Sequence, residues 1–193
     1  MEHKGTVVLG TDRLILRRFR EDDAQLMFDN WASNPNVTKY ITWGPHESVE
    51  VTKAIISEWV KSYQTPDFYQ WAIELKELGQ IIGSISVVRI HERTDACEIG
   101  YCIGEPWWNK GITTEAFKRV ITFLFDEVQV NRISAGHDTD NPGSGRVMQK
   151  SGLRYEGTLR QAGKNNTNTL CDLAVYAILK RFAGCGGGQP TKA

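Results

Sequence analysis

The sequence has little of what defines a metal protein, a disulfide-rich protein or a membrane protein. Only four of its 193 residues are cysteine and four are histidine. The cysteines, Cys97, Cys102, Cys171 and Cys185, show no C-x-x-C spacing, so neither a zinc site nor a disulfide framework is predicted. No stretch approaches the roughly 18 consecutive apolar residues that a transmembrane helix needs. We therefore expect a soluble, cytoplasmic protein without a metal and without a membrane partner.

An excess of one charge is also absent. The chain has 23 lysine and arginine residues against 23 aspartate and glutamate residues. Nucleic-acid-binding domains normally carry a basic patch that neutralises phosphates. No nucleic-acid partner is expected.

The common phosphate and calcium motifs are missing. There is no G-x-x-x-x-G-K-[ST], and no G-x-G-x-x-G follows a predicted strand, which argues against a P-loop and a dinucleotide fold. The stretch "DTDNPG" begins like a calcium-binding loop at Asp138. Its fifth position is Pro142 and its twelfth is Gln149, so two calcium ligands are lacking.

Periodicity predicts one mixed α/β domain over residues 1–182. Seven segments rich in β-branched and aromatic residues are predicted strands, at 13–19, 68–75, 80–90, 96–103, 132–139, 153–161 and 169–179. About four helices are expected, including 22–33 and 48–63. In the second of these a buried stripe is predicted at Val51, Ile55, Trp59 and Tyr63. The glycine-rich end, residues 183–193, predicts a flexible tail.

The stretch "WWNKGITTEAF", from Trp107 to Phe117, joins a predicted strand to an amphipathic helix. The first backbone N–H groups of a helix lack intrahelical partners and lie at the positive end of its dipole, so they favour an anion. Gly111 would let the backbone approach that anion, and Lys110 would add charge. The junction is therefore predicted to hold a phosphate or pyrophosphate. In the alternative, Gly111 only makes a turn and Thr113 or Thr114 only caps the helix.

Two longer stretches, "CEIGYCIGEPWWNKGITTEAF" and "NPGSGRVMQKSGLRYEG", resemble the acetyl-CoA-binding core of the GNAT superfamily of N-acetyltransferases, in its RimJ/RimL-like branch. The resemblance runs from "TDRLILRRFREDDA" to "CDLAVYAIL". It implies a seven-stranded twisted mixed sheet, splayed at its centre around acetyl-CoA and flanked by about four helices. It further implies a primary amine acceptor, either a protein N-terminal α-amine or a small amine. A homodimer is compatible with it, since dimers are common among related proteins.

The resemblance also assigns the coenzyme-binding residues. The pyrophosphate motif of the family falls on Trp108, Asn109, Lys110, Gly111, Ile112 and Thr113, with Thr114 next to it. Only the central glycine matches strictly, and the side chain of Thr113 would narrow the room beside the phosphates or donate a hydrogen bond to one of them. The backbone of Tyr101, Cys102 and Ile103 matches the segment that pairs with the pantetheine arm. Asn141, which its position before Pro142 marks as a helix cap, also bonds the coenzyme arm in the family.

The reaction needs a base because an amine is largely protonated at neutral pH, with a pKa of roughly 10.4 for lysine and roughly 7.7 to 8.0 for an α-amine. Glu98 is the candidate: it lies mid-strand in a segment nearly without charge, where burial would raise the pKa of its carboxyl, and it matches the family's base position. By alternation Glu98, Gly100 and Cys102 share one face. The alternatives are that Glu98 is a solvent-facing strand residue or forms a salt bridge without a catalytic role, and that Cys102 acts as an acyl-accepting thiolate.

Ser144 matches the serine that this branch places near the thioester sulfur, while Met148 stands where many relatives have a tyrosine acid. Departure of the thiolate without an acid is the alternative, and the backbone N–H of Ile103 matches an oxyanion donor. A non-catalytic acyl-CoA sensor or docking module is the alternative function. The resemblance places five aromatic side chains on the acceptor side: Trp31, Tyr40, Trp43, His46 and Trp59. For Trp31 and Trp59 the alternative is that they belong to the hydrophobic core.

Overall fold

The computed structural model describes residues 1–180 and contains eight strands in one mixed sheet. In chain order they are β1 (Leu9–Gly10), β2 (Leu14–Arg17), β3 (Gln70–Leu75), β4 (Gln80–His91), β5 (Ala96–Ile103), β6 (Arg132–Asp138), β7 (Arg154–Lys164) and β8 (Leu170–Leu179). Their order across the sheet is β1-β2-β3-β4-β5-β6-β8-β7. All seven predicted strands are present. The eighth, β1, is two residues long, which is too short to leave a periodic signal.

Five α-helices flank the sheet in the described part of the chain: α1 (Ala24–Met27), α2 (Pro35–Thr38), α3 (Val49–Ser62), α4 (Ile112–Asp126) and α5 (Pro142–Lys150). The predicted helix at 22–33 is a 3-10 turn, α1 and a π-helical segment, Phe28–Ala32, in succession. None of the helices in residues 1–180 combines the length and apolarity needed to cross a bilayer. The predicted flexible tail lies outside the described residues.

The predicted buried stripe of α3 was wrong at its start. Val51 is 41% exposed, whereas Thr52 and Ile56 are fully buried. At the other end Trp59 packs against the smaller core and Tyr63 is buried, as predicted. Burial of the polar Thr52 is possible because its Oγ1 lies 2.7 Å from Nδ1 of His46. A threonine whose hydrogen-bond partner comes from the loop before its helix cannot be recognised as a core residue from its helical spacing alone.

Hydrophobic cores lie on both faces of the sheet. The larger core holds the apolar side of α4, including Phe117 and Phe123, and the smaller one holds α1 with Trp31 and Ile56. Ile99 and Tyr101 of β5 pack into the larger core, and Cys102 packs against the smaller one. The two faces of β5 are therefore divided as strand alternation predicts.

The sheet opens at its centre. β5 and β6 are parallel and pair at only three positions, where Ala96, Cys97 and Glu98 face Arg132, Ile133 and Ser134. Beyond Glu98 the remaining residues of β5 pair only with β4, and those of β6 pair only with β8. This opening confirms the predicted mixed α/β fold with a splay between its two central strands.

Candidate active site

The turn before α4 presents backbone rather than a capping side chain. Gly111 adopts a left-handed conformation with φ of 74°, and the helix begins at the next residue without a side-chain cap. Thr113 and Thr114 lie inside the first turn, so the prediction that one of them caps the helix was wrong. Their N–H groups and that of Ile112 belong to the first turn, where no intrahelical acceptor exists. These donors remain free to meet an anion.

A pocket lies in front of this turn. Its lining residues are Trp107, Asn109, Gly111, Ile112, Thr113, Thr114, Gly143, Arg146, Val147 and Lys150. Arg146 and Lys150 project from α5, four residues apart and therefore on one face of that helix. Two cations opposite a helix N-terminus make a site for negatively charged oxygens. Neither Arg146 nor Lys150 was predicted from the sequence to line the site, although their spacing of four residues in the helix after Asn141 was a usable signal.

Trp108 and Lys110 support the loop instead of lining the pocket. Nε1 of Trp108 donates to the carbonyl of Ile103 at 2.9 Å, and the carbonyl of Lys110 accepts from Nη1 of Arg13 at 3.1 Å. Arg13 in turn donates through Nε to Glu115 at 2.7 Å. The loop is thus braced between the end of β5 and the first turn of α4.

The open edge of β5 offers backbone groups to a ligand. Gly104 donates its N–H to Ile82 of β4 at 2.9 Å, so the backbone groups of Cys102, two residues earlier, also face β4. Those of Tyr101 and Ile103 face the splay. Of the three residues expected to pair with the pantetheine arm, these two are correctly oriented, and Cys102 is not.

Ser144 lies at the start of α5, on the opposite side of the splay. Asn141 caps this helix as predicted, because its Oδ1 accepts from the N–H of Ser144 at 3.3 Å. The Tyr101 hydroxyl reaches across from β5 to within 2.9 Å of Ser144 Oγ and donates to the Ser144 carbonyl at 3.0 Å. Burial raises the pKa of Tyr101 above its usual range, so the phenol stays protonated. This side-chain contact had no signal in the sequence.

Glu98 marks the point where the two central strands part, since it is the last residue of β5 that pairs with β6. Its side chain is 35% exposed and lies 3.6 Å from Nη1 of Arg89, itself 67% exposed. The expected burial of Glu98 is therefore only partial. An ion pair this exposed contributes little to the free energy of unfolding. Because it is partly exposed, the Glu98 carboxylate is accessible from the face of β5 that it shares with Cys102.

Cys102 is unsuited to act as an acyl-accepting nucleophile. Burial raises the pKa of its thiol to about 12, so almost no thiolate exists at neutral pH. Glu98 lies four residues earlier, roughly 13 Å away along an extended strand. No base on the same strand is close enough to activate the thiol.

The aromatic side chains expected on the acceptor side divide into two groups. Trp31 is fully buried, and Trp59 packs against Phe19 at 4.9 Å between ring centroids, so both belong to the smaller core. Trp43 packs against His46 with ring centroids 5.2 Å apart and the rings tilted by 43°, and Tyr40 lies under the Lys39 ammonium at 4.9 Å. The loop after α2 therefore holds the remaining candidates for an acceptor wall.

The docking of α5 onto β6 depends on Gly145. His137 donates through Nδ1 to the Asp138 carbonyl, and a Cβ on Gly145 would come within 2.6 Å of the buried Nε2. Overpacking costs about 1–3 kcal/mol, while alanine gains about 1 kcal/mol as a helix former. We expect Gly145→Ala to lower the free energy of unfolding in urea by up to about 2 kcal/mol. Gly143→Ala, which meets only ordinary contacts, is the matched control, and Gly145→Ala should be about 1–3 kcal/mol less stable than it. Equal stability of the two variants would contradict this packing.

No group of three or more His, Cys, Asp or Glu residues within positions 1–180 is arranged to hold a metal ion. The chemistry available at the splay is therefore that of Glu98, Ser144, Tyr101, the two cations and the backbone.

Comparison with known proteins points to one family. The model described as "Acetyltransferase (GNAT) domain" matches residues 13–154. An uncharacterized N-acetyltransferase of Bacillus subtilis, YoaA, is 35% identical over 173 residues, covering 90% of this chain and 97% of its own. The [ribosomal protein uS5]-alanine N-acetyltransferase of Escherichia coli is 28% identical over 159 residues, covering 78% and 80%. The fold of RimL, a ribosomal L7/L12 alpha-N-protein acetyltransferase solved with coenzyme A, superposes with a TM-score of 0.80 at 20% identity, covering 90% and 98%.

Proposed function

Because the chain belongs to the GNAT family and is an acetyl-CoA-dependent N-acetyltransferase, we propose that it acetylates a primary amine by direct attack in a ternary complex at the splay. The observation that carries this proposal is the three-position pairing of β5 with β6. It leaves a groove with an anion pocket at one end and Glu98 at the other. A long thioester with a phosphate-bearing head matches that arrangement.

In this proposal the coenzyme phosphates meet the N–H groups of the first turn of α4 together with Arg146 and Lys150. The pantetheine arm lies along the free backbone groups of Tyr101, much as an added strand would, because the carbonyl of Ile103 already accepts from Trp108. Asn141 holds the start of α5 at the other wall of the groove.

Glu98 takes the proton from the acceptor ammonium, which frees the nitrogen lone pair. The nitrogen attacks the thioester carbon, so that a C–N bond forms while the N–H of Ile103 donates to the developing oxyanion. The C–S bond then breaks while Ser144 donates a hydrogen bond to the departing sulfur. The nitrogen, which still carries one extra proton, passes it through water to the thiolate, so that a neutral amide and free coenzyme A thiol are formed and Glu98 returns its proton to solvent.

The identity of the acceptor rests on the relatives. A relative at 28% identity is a [ribosomal protein uS5]-alanine N-acetyltransferase, and RimL, which shares the fold, is an alpha-N-protein acetyltransferase; both support a protein α-amine as acceptor. Small amines remain within the proposal, because the partly exposed Tyr40 and Trp43 present aromatic faces that attract an ammonium. A cytoplasmic location and a homodimer stay predictions.

The test is an acceptor panel with acetyl-CoA. Peptides with different free N-termini, the same peptides with blocked N-termini, polyamines, aminoglycosides and amino acids are each incubated with the protein, and free coenzyme A thiol is measured. We expect thiol release with at least one free amine and none with its blocked counterpart. Binding of acetyl-CoA without turnover across the panel would favour the sensor.

The two cations of the pocket give a second test. Replacing Arg146 and Lys150 together by alanine removes charge-assisted contacts worth about 1.5–3 kcal/mol each. We expect the KM for acetyl-CoA to rise about tenfold or more, with kcat nearly unchanged. Lys53→Ala, an exposed position on α3, is the control. An unchanged KM in the double variant would place the phosphates elsewhere.

A further inference from the structure

Tyr101 links the two halves of the sheet after β5 and β6 have parted. It lies three residues beyond Glu98, the last paired residue of β5, and packs its ring on Phe117 of α4 at 5.5 Å. Its hydroxyl contacts Ser144 of α5 twice, at Oγ and at the carbonyl. A side chain from one wall of the groove is therefore fixed to the residue proposed to meet the departing sulfur on the other.

We propose that Tyr101 is a positioning residue for acetyl transfer, whose phenol holds the hydroxyl of Ser144 in the orientation that donates to the departing sulfur. This inference rests on the proposed function. It adds a residue whose side chain the family motif does not assign and which acts through Ser144 rather than on the substrate.

The need for such a residue follows from the freedom of a serine hydroxyl. It rotates to suit its surroundings, with one proton to donate and two lone pairs, and near a helix start it competes for local backbone groups. The single phenolic proton lies 3.0 Å from the Ser144 carbonyl and 2.9 Å from Ser144 Oγ, measured from the phenol oxygen, so it is shared between them as a three-centre hydrogen bond. Its share at Oγ occupies a lone pair there, and the serine proton turns to the remaining acceptor, the sulfur. Hydrogen bonds in such a chain strengthen one another. Because Tyr101 is buried and protonated, it can donate throughout the working pH range.

The packing of Tyr101 makes this orientation rigid. Phe117 supports the ring from α4, and Asn141 fixes the backbone of Ser144 from the other side. Met148, at the position where many relatives have a tyrosine, is 1% exposed and carries no proton. The phenol nearest to Ser144 in the described structure thus comes from β5.

Tyr101→Phe tests the inference, since it removes one hydroxyl and keeps the ring. Loss of an orienting hydrogen bond of about 0.5–1.5 kcal/mol corresponds to a fall in kcat of up to about tenfold, with the KM for acetyl-CoA within about twofold of wild type. Tyr155→Phe, which removes a hydroxyl bonded only to Thr158 on exposed β7, should leave kcat unchanged. An unchanged kcat in Tyr101→Phe would overturn the inference.

A double-mutant cycle separates positioning from simple support of the fold. In a Ser144→Ala background, Tyr101→Phe should have no further effect on kcat, because the hydroxyl that it orients is gone. A merely structural tyrosine would lower kcat by the same factor in both backgrounds, and that result would refute the positioning role. Wild type is assayed alongside: no turnover there rejects the proposed function itself, whereas an active wild type with an equally active Tyr101→Phe rejects only this inference.

Discussion

Glu98→Gln is expected to lower turnover by roughly 10²-fold or more while acetyl-CoA still binds, which is the usual size of the loss when a general base is removed. The amide keeps the shape of the side chain but cannot accept the ammonium proton. The measurement is kcat for the best acceptor of the panel, together with the Kd for acetyl-CoA from equilibrium binding.

The control for Glu98 is Arg89→Ala. It removes the same 3.6 Å ion pair but leaves the carboxylate in place. If Glu98 served only as an ion-pair partner, both variants would behave alike. We expect Arg89→Ala to retain most of its turnover, and equal activity of Glu98→Gln and wild type would show that another group takes the proton.

Asp23→Ala is expected to lower the free energy of unfolding by about 3–5 kcal/mol, the usual cost of breaking a buried ion pair by removing one partner. Asp23 accepts from Nη1 and Nη2 of the buried Arg17 at 2.7 and 2.9 Å, and its carboxylate also accepts the N–H of Arg20. Hydrogen bonds to Asp23, followed by those to Glu74, raise the pKa of Arg17 further above its usual value. When Asp23 is removed, the guanidinium of Arg17 therefore stays charged and lacks its main hydrogen-bond partner.

Urea unfolding measures this loss. Glu58→Ala is the matched control, because it breaks an exposed pair with Lys61 and should cost less than about 1 kcal/mol. A loss below that limit in Asp23→Ala would mean that Glu74, 2.6 Å from Nε of Arg17, compensates alone. The network joins β2 and β3 to the turn that leads into α1, so its loss should also loosen the acceptor side of the groove.

The strands and the left-handed turn at Gly111 were predictable from the sequence because their signals are local. A run of β-branched residues indicates a strand whichever strand it later pairs with. Gly111 before an amphipathic helix likewise indicates a left-handed turn without knowledge of the rest of the fold. Asn141 before Pro142 predicts a cap in the same way.

The features that the sequence could not predict depend on contacts between residues of different structural elements. Tyr101 and Ser144 are 43 positions apart, and only the opening of the sheet brings them together. The burial of Thr52 depends on His46, which comes from a loop. Arg146 and Lys150 form a candidate anion site only together with the first turn of α4, which lines the same pocket. The partial exposure of Glu98 depends on the face of the sheet that the helices leave open.

The proposed function requires that acetyl transfer to an amine take place at the splay. A single reaction tests this when free coenzyme A thiol and acetylated acceptor, found by intact-mass analysis, are both quantified for wild type and Glu98→Gln. We expect equal amounts of thiol and acetylated amine for wild type and a deep loss of both for the variant. Thiol release without an acetylated acceptor, or no release from bound acetyl-CoA, would contradict the proposed function.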